Sequence, residues 1–183
     1  HILNNIDTNF NITSVYHLAS PASPITFYQI PVYVLLTNVV GTANVLEIFG
    51  RQGVRVLVTS TSEIYGDPEI HPQEETYWGN VNPIGPRACY DEGKRAAEAL
   101  CISYHSQFNV DYCIARLFNV YGPGMKDDDG RAVPSFIRAA IDGKDLNIFG
   151  HGLQTRSFVY VDDVVVALTK LMDTSLNGPY NIG

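Results

Sequence analysis

The sequence alternates between short runs of β-branched apolar residues and longer segments with helical spacing. The clearest run, VRVLVTSTS at 54–62, is strongly β-branched, which is typical of a strand buried on both faces. Similar runs occur at 14–19 and 110–122, and segments at 37–53 and 88–108 have apolar residues at helical spacing. Strands that alternate with helices usually pair in parallel beneath helical layers. The pattern therefore predicts an α/β fold with a doubly wound parallel sheet, in which 14–19 and 54–62 are buried strands.

The last third of the chain continues the alternation. Helical spacing predicts helices at 131–143 and 161–173, and short apolar runs predict strands at 145–150 and 156–161. The first residue is not Met, and the closing GPYNIG is typical of a strand that is just beginning. We therefore expect a chain that is truncated at both ends.

Composition limits the partners and the compartment. The formal net charge of −7 argues against a phosphate-backbone ligand, so no nucleic acid is expected. Three cysteines without a CxxC pair favour a reducing compartment, and we expect a cytoplasmic protein. The five histidines lack metal-ligand spacing, and the DDD triplet at 127–129 is typical of a solvated loop, so no metal is expected. No apolar run reaches the roughly 18 residues of a membrane span, so no membrane contact is expected within this chain.

Polar segments follow three of the predicted strands. ASPASP comes after the first run, STSEIYG after the second and NVYGPG after the third. In open parallel sheets, ligands bind at the carboxyl ends of the strands. The three segments therefore predict one site on one edge of the sheet.

Tyr90 and Lys94 lie four residues apart in the predicted helix at 88–108, so they share one face. An ammonium beside a phenol favours the phenolate, and a phenolate near neutral pH is a competent base for an alcohol. The spacing therefore predicts a catalytic pair in which the Lys94 ammonium lowers the pKa of Tyr90. A chance Tyr-x-x-x-Lys is the alternative, because the chain has 11 tyrosines.

Other polar residues have both a functional and an ordinary interpretation. Glu63 could act as a general acid or base, with Thr61 and Ser62 holding a substrate group, or the hydroxyls could simply cap a turn. Asn119 could contact a polar ligand or serve only the turn that follows it. Arg156 could bind a phosphate or form an exposed salt bridge.

Five segments together carry a family resemblance: HLASPASP, STSEIYG, NPIGPRACYDEGKR, ARLFNVYGP and GLQTRSFVYVDD. In order and spacing, from Val15 onward, the chain resembles the extended short-chain dehydrogenase/reductase family. The resemblance implies a Rossmann-like fold with a smaller nucleotide-sugar-binding part. It divides the chain into a partial NAD-binding domain at 1–122, without its first βα unit and glycine-rich turn, and a mixed substrate-binding segment at 123–183.

Within that family, the segments are similar to the branch that decarboxylates UDP-glucuronate to UDP-xylose through a 4-keto intermediate, with NAD recycled. The resemblance implies that Tyr90 takes the proton of the sugar 4-hydroxyl and that Lys94 tunes Tyr90 and holds the nicotinamide ribose. Related 4,6-dehydratases usually carry Asp where this chain has Ser62, which favours decarboxylation. A 4,6-dehydratase, a 4-epimerase or a non-catalytic nucleotide-sugar-binding relative are the alternatives.

The resemblance also assigns residues around the two ligands. Cofactor contacts fall on Leu18, Ala19, Ser20, Thr37, Tyr90, Lys94 and Arg131, and UDP-sugar contacts on Asn119, Phe149, Gln154 and Arg156. The chain departs from its relatives at Leu36, where they usually carry a substrate-contacting Lys. Relatives form homodimers through helices near 38–50 and 88–107, so a homodimer is expected. Some relatives are lumenal and membrane-anchored, which leaves such a parent protein as the alternative to the cytoplasm.

Overall fold

The computed structural model describes residues 11–126, 130–148 and 150–183. The predictions for Phe149 and for 127–129 lie outside the described residues. The strands are β1 Ser14–His17, β2 Arg55–Thr61, β3 Tyr112–Leu117, β4 Asn119–Tyr121, β5 Phe158–Tyr160 and β6 Tyr180–Ile182. The helices are α1 Pro24–Gln29, α2 Pro31–Ile48, α3 Ala88–Phe108, α4 Ala132–Ile141 and α5 Val161–Met172.

The main sheet has the strand order β1-β2-β3-β6, and every neighbouring pair is parallel. Thr61 at the end of β2 lies opposite Leu117 of β3, which lies opposite Ile182 of β6. The carboxyl ends of these strands therefore meet at one edge of the sheet. β4 and β5 form a separate parallel pair.

Helices cover both faces of the main sheet. Successive side chains of a strand point to opposite faces, so a strand with apolar residues at both sets of positions must be covered on both sides. Val56 and Val58 face a cluster that includes Leu46 of α2 and Cys101 of α3. Leu57 points the opposite way and packs on a cluster with Cys113 of β3 and residues of α5. The predicted doubly wound α/β fold is confirmed. The domain division at 122/123 stays a prediction.

Strand predictions were wrong in three places. The run at 14–19 was expected to be buried, yet β1 is an edge strand of the described sheet and Tyr16 is 42% exposed. The single strand predicted at 110–122 is divided, since its last residues leave the main sheet to pair with β5. No strand occurs at 145–148 or at 150, where the described backbone makes no ladder.

Helix predictions differ at the first helical layer. The helix expected at 37–53 begins six residues earlier, at Pro31, and a separate short helix, α1, precedes it. Each of these helices has a proline in its first turn, where its missing N–H costs nothing. Because the same prolines are also typical of loops, the sequence pattern did not predict where α1 and α2 begin.

The stretch Pro31–Gln52, which contains α2, is long and apolar enough to cross a membrane by length and composition alone. The sequence expectation that no run reaches this length is therefore wrong. Helices in the core of a water-soluble protein can pass the same test. One face of α2 packs on α3 and on the sheet, and Leu46 on this face is fully buried.

Candidate active site

A cleft of about 920 Å³ opens at the carboxyl edge of the sheet. It lies between the segment after β2, the long loop that follows it and the segment before β5. Five predicted site residues line this cleft: Ser62, Glu63, Asn119, Gln154 and Arg156. The fold therefore brings together residues that are as much as 94 positions apart in the chain. Two of the three polar segments, those at 60–66 and 119–124, contribute to this cleft, whereas the segment at 19–24 does not line it.

Tyr90 lies in the first turn of α3 and is only 8% exposed. Its ring stacks on Phe27 of α1, with 4.5 Å between ring centroids. Burial raises the pKa of Tyr90 to about 12, and a hydrogen bond with the Thr61 side chain opposes part of that rise. Glu63 and Asp91 raise the pKa of Tyr90 further, whereas Arg87 lowers it. In the ligand-free protein, Tyr90 is therefore a neutral phenol.

Lys94 is buried one turn further along α3. Its ammonium donates a hydrogen bond of 2.7 Å to the carbonyl of Thr59 in β2 and lies 6.0 Å from the centre of the Tyr90 ring. Burial lowers the pKa of Lys94 to about 8. The pair shares a helix face as predicted, but the expected lowering of the Tyr90 pKa is wrong for this state. The loss of hydration is the largest effect on the pKa of Tyr90, and the charges that act on it are those of Glu63, Asp91 and Arg87.

Thr61, Ser62 and Glu63 lie where β2 passes into a 3₁₀ helix, Ser62–Tyr65. The Thr61 hydroxyl caps that helix by accepting from the Glu63 N–H at 3.3 Å, so the ordinary capping interpretation also holds. The turn directs the side chain of Glu63 into the cleft. There its carboxylate forms an ion pair of 2.8 Å with Arg87.

The residues assigned to the cofactor are only partly assembled. Leu18 and Ala19 are exposed directly after β1, and Thr37 donates its hydroxyl to the Tyr33 carbonyl within α2. Arg131 stands at the start of α4 and does not line the cleft. Lys94 fits a cofactor ribose, because a buried ammonium with one bond to Thr59 keeps further N–H donors.

The described residues assigned to the sugar nucleotide lie on the wall of the cleft opposite Ser62 and Glu63. The Asn119 amide donates to the Ser157 carbonyl at 2.9 Å, which joins the segments after β3 and before β5. Arg156 is exposed and donates to the neighbouring Thr155 carbonyl at 2.7 Å. Its charge remains open to the cleft. Leu36, the departure from the relatives, is half exposed on α2 and is not a lining residue.

Sequence reasoning missed the buried network that holds the cleft wall. Arg116 of β3 is 7% exposed and forms two hydrogen bonds, of 3.0 and 2.8 Å, with the Glu98 carboxylate of α3. Its remaining nitrogen donates to the Tyr65 hydroxyl and to the Glu75 carbonyl, at 2.8 and 2.9 Å. Tyr65 in turn donates to Asn181 of β6 at 2.8 Å. The network ties the long loop after β2 to the sheet.

Sequence analysis also missed Arg87, although this residue is part of the quoted segment NPIGPRACYDEGKR. It lies three residues before Tyr90, so the start of a helix turns both toward the same region. Asp91 is its buried neighbour one turn on, and burial raises the pKa of Asp91 to about 6. The spacing of Arg87, Tyr90 and Asp91 was the available signal.

The described residues contain no group of three or more His, Cys, Asp or Glu side chains placed to hold a metal ion. The absence of a metal stays a prediction. All three cysteines are free thiols, and Cys101 and Cys113 are buried.

A parallel Rossmann-type sheet with a buried Tyr–Lys pair beside a polar cleft defines a class of nucleotide-dependent enzymes that act on hydroxyl groups. Comparison with known families agrees with that class. The chain belongs to the NAD dependent epimerase/dehydratase family, whose profile matches residues 2–183. The resemblance to extended short-chain dehydrogenases/reductases is therefore confirmed.

Curated relatives share more than half of their aligned residues with the chain. UDP-glucuronic acid decarboxylase 6 of Arabidopsis thaliana is 55% identical over 172 residues, which cover 94% of this chain and 50% of that protein. UDP-glucuronic acid decarboxylase 1 of Xenopus tropicalis is 52% identical over 172 residues, covering 94% and 41%. The chain therefore spans about half or less of the length of these relatives.

Solved structures share the fold. UDP-glucuronic acid 4-epimerase from Bacillus cereus, in complex with UDP-glucuronic acid and NAD, matches with a TM-score of 0.78 and 32% identity over 94% of this chain and 54% of that one. UDP-N-acetylglucosamine 4-epimerase from Methanobrevibacter ruminantium M1, in complex with UDP-N-acetylmuramic acid, matches with a TM-score of 0.83 and 28% identity over 93% and 54%.

Proposed function

We propose that the whole protein is an NAD-dependent decarboxylase that converts UDP-glucuronate to UDP-xylose and CO₂ through a 4-keto sugar. One observation carries the proposal. Tyr90, Lys94 and the segment 61–63 meet at one edge of the sheet, in a chain 55% identical to a protein named for this activity. The cytoplasmic location remains part of the proposal and rests on the free cysteines alone.

Tyr90 is the group that takes the proton from the sugar 4-hydroxyl in this proposal. Its hydrogen bond with Thr61 and its contact with Phe27 fix the phenol in place. NAD, when bound, supplies the hydride acceptor for C4 and a positively charged ring that favours the phenolate. Lys94 would hold the nicotinamide ribose from its position on the Thr59 carbonyl, with Leu18, Ala19, Ser20, Thr37 and Arg131 completing the cofactor contacts.

Oxidation at C4 places a ketone β to the C6 carboxylate. The electrons of the C5–C6 bond can then pass into an enolate as CO₂ leaves, and a solvent-derived proton takes the place of CO₂ at C5. Return of the hydride to C4, with Tyr90 giving its proton back to the 4-oxygen, would then yield UDP-xylose with no net NADH. Ser62 and Glu63 would lie beside C4–C6, and the opposite wall of Asn119, Gln154 and Arg156 would hold the UDP part. A serine hydroxyl is a poor acid for expelling a 6-hydroxyl, so Ser62 favours decarboxylation over dehydration.

Product analysis of the whole protein with UDP-glucuronate and NAD tests the proposal. We expect UDP-xylose as the product, with no net NADH. Tyr90→Phe should lower kcat by about 10²–10⁴-fold while UDP-glucuronate still binds, because general-base catalysis contributes on this order. Tyr104→Phe, a partly buried tyrosine elsewhere on α3, is the matched control and should change little. Formation of UDP-galacturonate would identify a 4-epimerase instead, and a 4-keto-6-deoxy sugar from a nucleotide-glucose would identify a dehydratase.

The proposal includes the homodimer expected through the helices near 38–50 and 88–107, which fall largely in α2 and α3, and it extends the contact to the exposed start of α2. Val32, Leu36 and Val40 recur at four-residue spacing and are 70%, 50% and 48% exposed, and Tyr33 beside them is 62% exposed. This spacing aligns them in one apolar stripe on the helix. An exposed apolar stripe of this kind is typical of an interaction surface, and the same stripe on a second copy can pack against it in a two-fold symmetric dimer.

Light scattering of the whole protein tests the dimer. Val32→Glu with Val40→Glu should give a monomer, because the paired stripes would then carry four carboxylates. The matched control is Val165→Glu, an exposed valine of α5 on the other side of the sheet, which should leave a dimer. A wild-type protein that is monomeric, or that binds lipid vesicles through this stripe, would contradict the proposal.

A further inference from the structure

Arg87 holds a defined place at the mouth of the cleft. Its guanidinium forms an ion pair of 2.8 Å with Glu63, and their side chains are 40% and 39% exposed. The guanidinium also lies over the Phe27 ring, 5.6 Å from its centre, and Phe27 stacks on Tyr90. One nitrogen, Nε, is buried without a hydrogen-bond partner among the described residues. Arg87 is therefore held by Glu63 and Phe27, the residue that stacks on the catalytic tyrosine.

The charges around Arg87 are mostly negative. Glu63 pairs directly with it, and Asp91 lies one helical turn away, where the charges of Arg87, Glu63 and Glu92 act on its pKa. A sugar carboxylate that enters beside Glu63 would meet a like charge at short range. Arg87 is the cation that pairs with Glu63, so it cancels this repulsion where the C6 carboxylate must lie.

We propose that Arg87 is a specificity-determining positioning residue, which neutralises Glu63 so that the cleft accepts a sugar with an anionic C6 carboxylate. The proposal rests on the proposed function for the placement of the sugar. It assigns Arg87 an indirect role: the residue acts through Glu63 and touches no reacting atom. A neutral UDP-hexose gains nothing from this pairing, so Arg87 separates uronate from hexose substrates.

Calorimetric binding of three ligands to the NAD-loaded whole protein tests this role: UDP-glucuronate, UDP-glucose and UDP. Arg87→Gln should weaken UDP-glucuronate about 10- to 100-fold and change UDP-glucose and UDP less than about threefold, as expected for an unmatched like charge. Arg87→Lys keeps the charge and should keep most of the preference. Adding Glu63→Gln to Arg87→Gln should recover at least about tenfold of the lost UDP-glucuronate affinity, because the repelling charge is gone.

Arg51→Gln is the matched control. Arg51 likewise pairs with a glutamate, Glu47, and lies over a phenylalanine ring, Phe108, but it does not line the cleft. Its loss should change the affinity for none of the three ligands.

Several outcomes would overturn the inference. Equal weakening of all three ligands by Arg87→Gln would indicate a purely structural role. A double variant that binds UDP-glucuronate no better than Arg87→Gln would mean that Arg87 contacts the substrate directly. Should Arg87→Gln not fold, Glu63→Gln alone carries the test by the same ligand comparison. It removes the repelling charge and leaves Arg87, so it should bind UDP-glucuronate at least as tightly as wild type, and weaker binding of UDP-glucuronate alone would overturn the inference. Because only binding is measured, a wild type that binds UDP-glucuronate selectively but releases no CO₂ would refute the proposed function alone.

Discussion

Replacing Arg116 with Met should destabilise the protein strongly, because it strands a buried charge. The side chains of Arg116 and Glu98 are only 8% and 12% exposed, so solvent screens their interaction little. Removing one partner of such a buried pair costs about 3–5 kcal/mol of unfolding free energy. The Tyr65 hydroxyl and the Glu75 carbonyl lose a donor at the same time. The expected loss therefore lies in the upper part of this range.

Urea denaturation of the whole protein measures this loss, and a second variant separates its causes. In the double variant Glu98→Met with Arg116→Met, no buried charge is left, so stability should return to within about 1–2 kcal/mol of wild type. Amide hydrogen exchange in the loop 66–86 should rise in both variants, since each lacks the bond from Arg116 to Glu75. A cost below about 1 kcal/mol for the single variant, or a double variant as unstable as the single one, would refute the reasoning.

Three further predictions concern titration and backbone geometry. Burial lowers the pKa of His17 to about 4, so the protein loses stability through this residue as the pH falls from 6.5 to 4. Burial raises the pKa of Asp91 to about 6, so the protein gains stability through this residue as the pH falls from 6 to 4. Over that window, denaturant melts should therefore show the stability of His17→Gln rising relative to wild type toward low pH, and that of Asp91→Asn falling relative to wild type; the same trend relative to wild type in both variants would contradict this. Gly66→Ala should cost more than about 2 kcal/mol, because Gly66 has φ +67° and an added Cβ would lie 2.1 Å from the Asn80 carbonyl, and a thermal melt within a degree of wild type would exclude that strain. In ligand-free protein labelled with ¹³Cζ-tyrosine, the NMR signal that Tyr90→Phe removes should stay that of a phenol up to about pH 10, and a phenolate shift near pH 7 would contradict the burial argument.

Elements whose signals are local could be predicted from the sequence. The helix at 88–108 was predicted with its observed bounds, because an alanine-rich run ends at Asn109, which adopts φ 57° as a left-handed cap. β2 was predicted within one residue at each end, since a β-branched run buried on both faces has few alternatives. α1 was not predicted, because Pro24 in SPASP is equally compatible with a loop and with a helix start.

The position of some candidate site residues could be predicted from the sequence, but their contacts could not. The parallel sheet brings Ser62 and Asn119 to one edge, which follows from topology alone. The pairing of Arg87 with Glu63 and the bond from Tyr65 to Asn181 join positions 24 and 116 residues apart, so no local pattern encodes them. The pKa of Tyr90 was predicted in the wrong direction, because spacing reports a neighbouring charge and does not report burial.

One measurement tests the central claim most directly. The whole protein is incubated in D₂O with UDP-glucuronate labelled with ¹³C at C6, and the products are followed by NMR. The account predicts labelled CO₂ and bicarbonate in equal amount to UDP-xylose that carries one deuterium at C5. Label that stays on a six-carbon sugar, in UDP-galacturonate or in unchanged UDP-glucuronate, would contradict it.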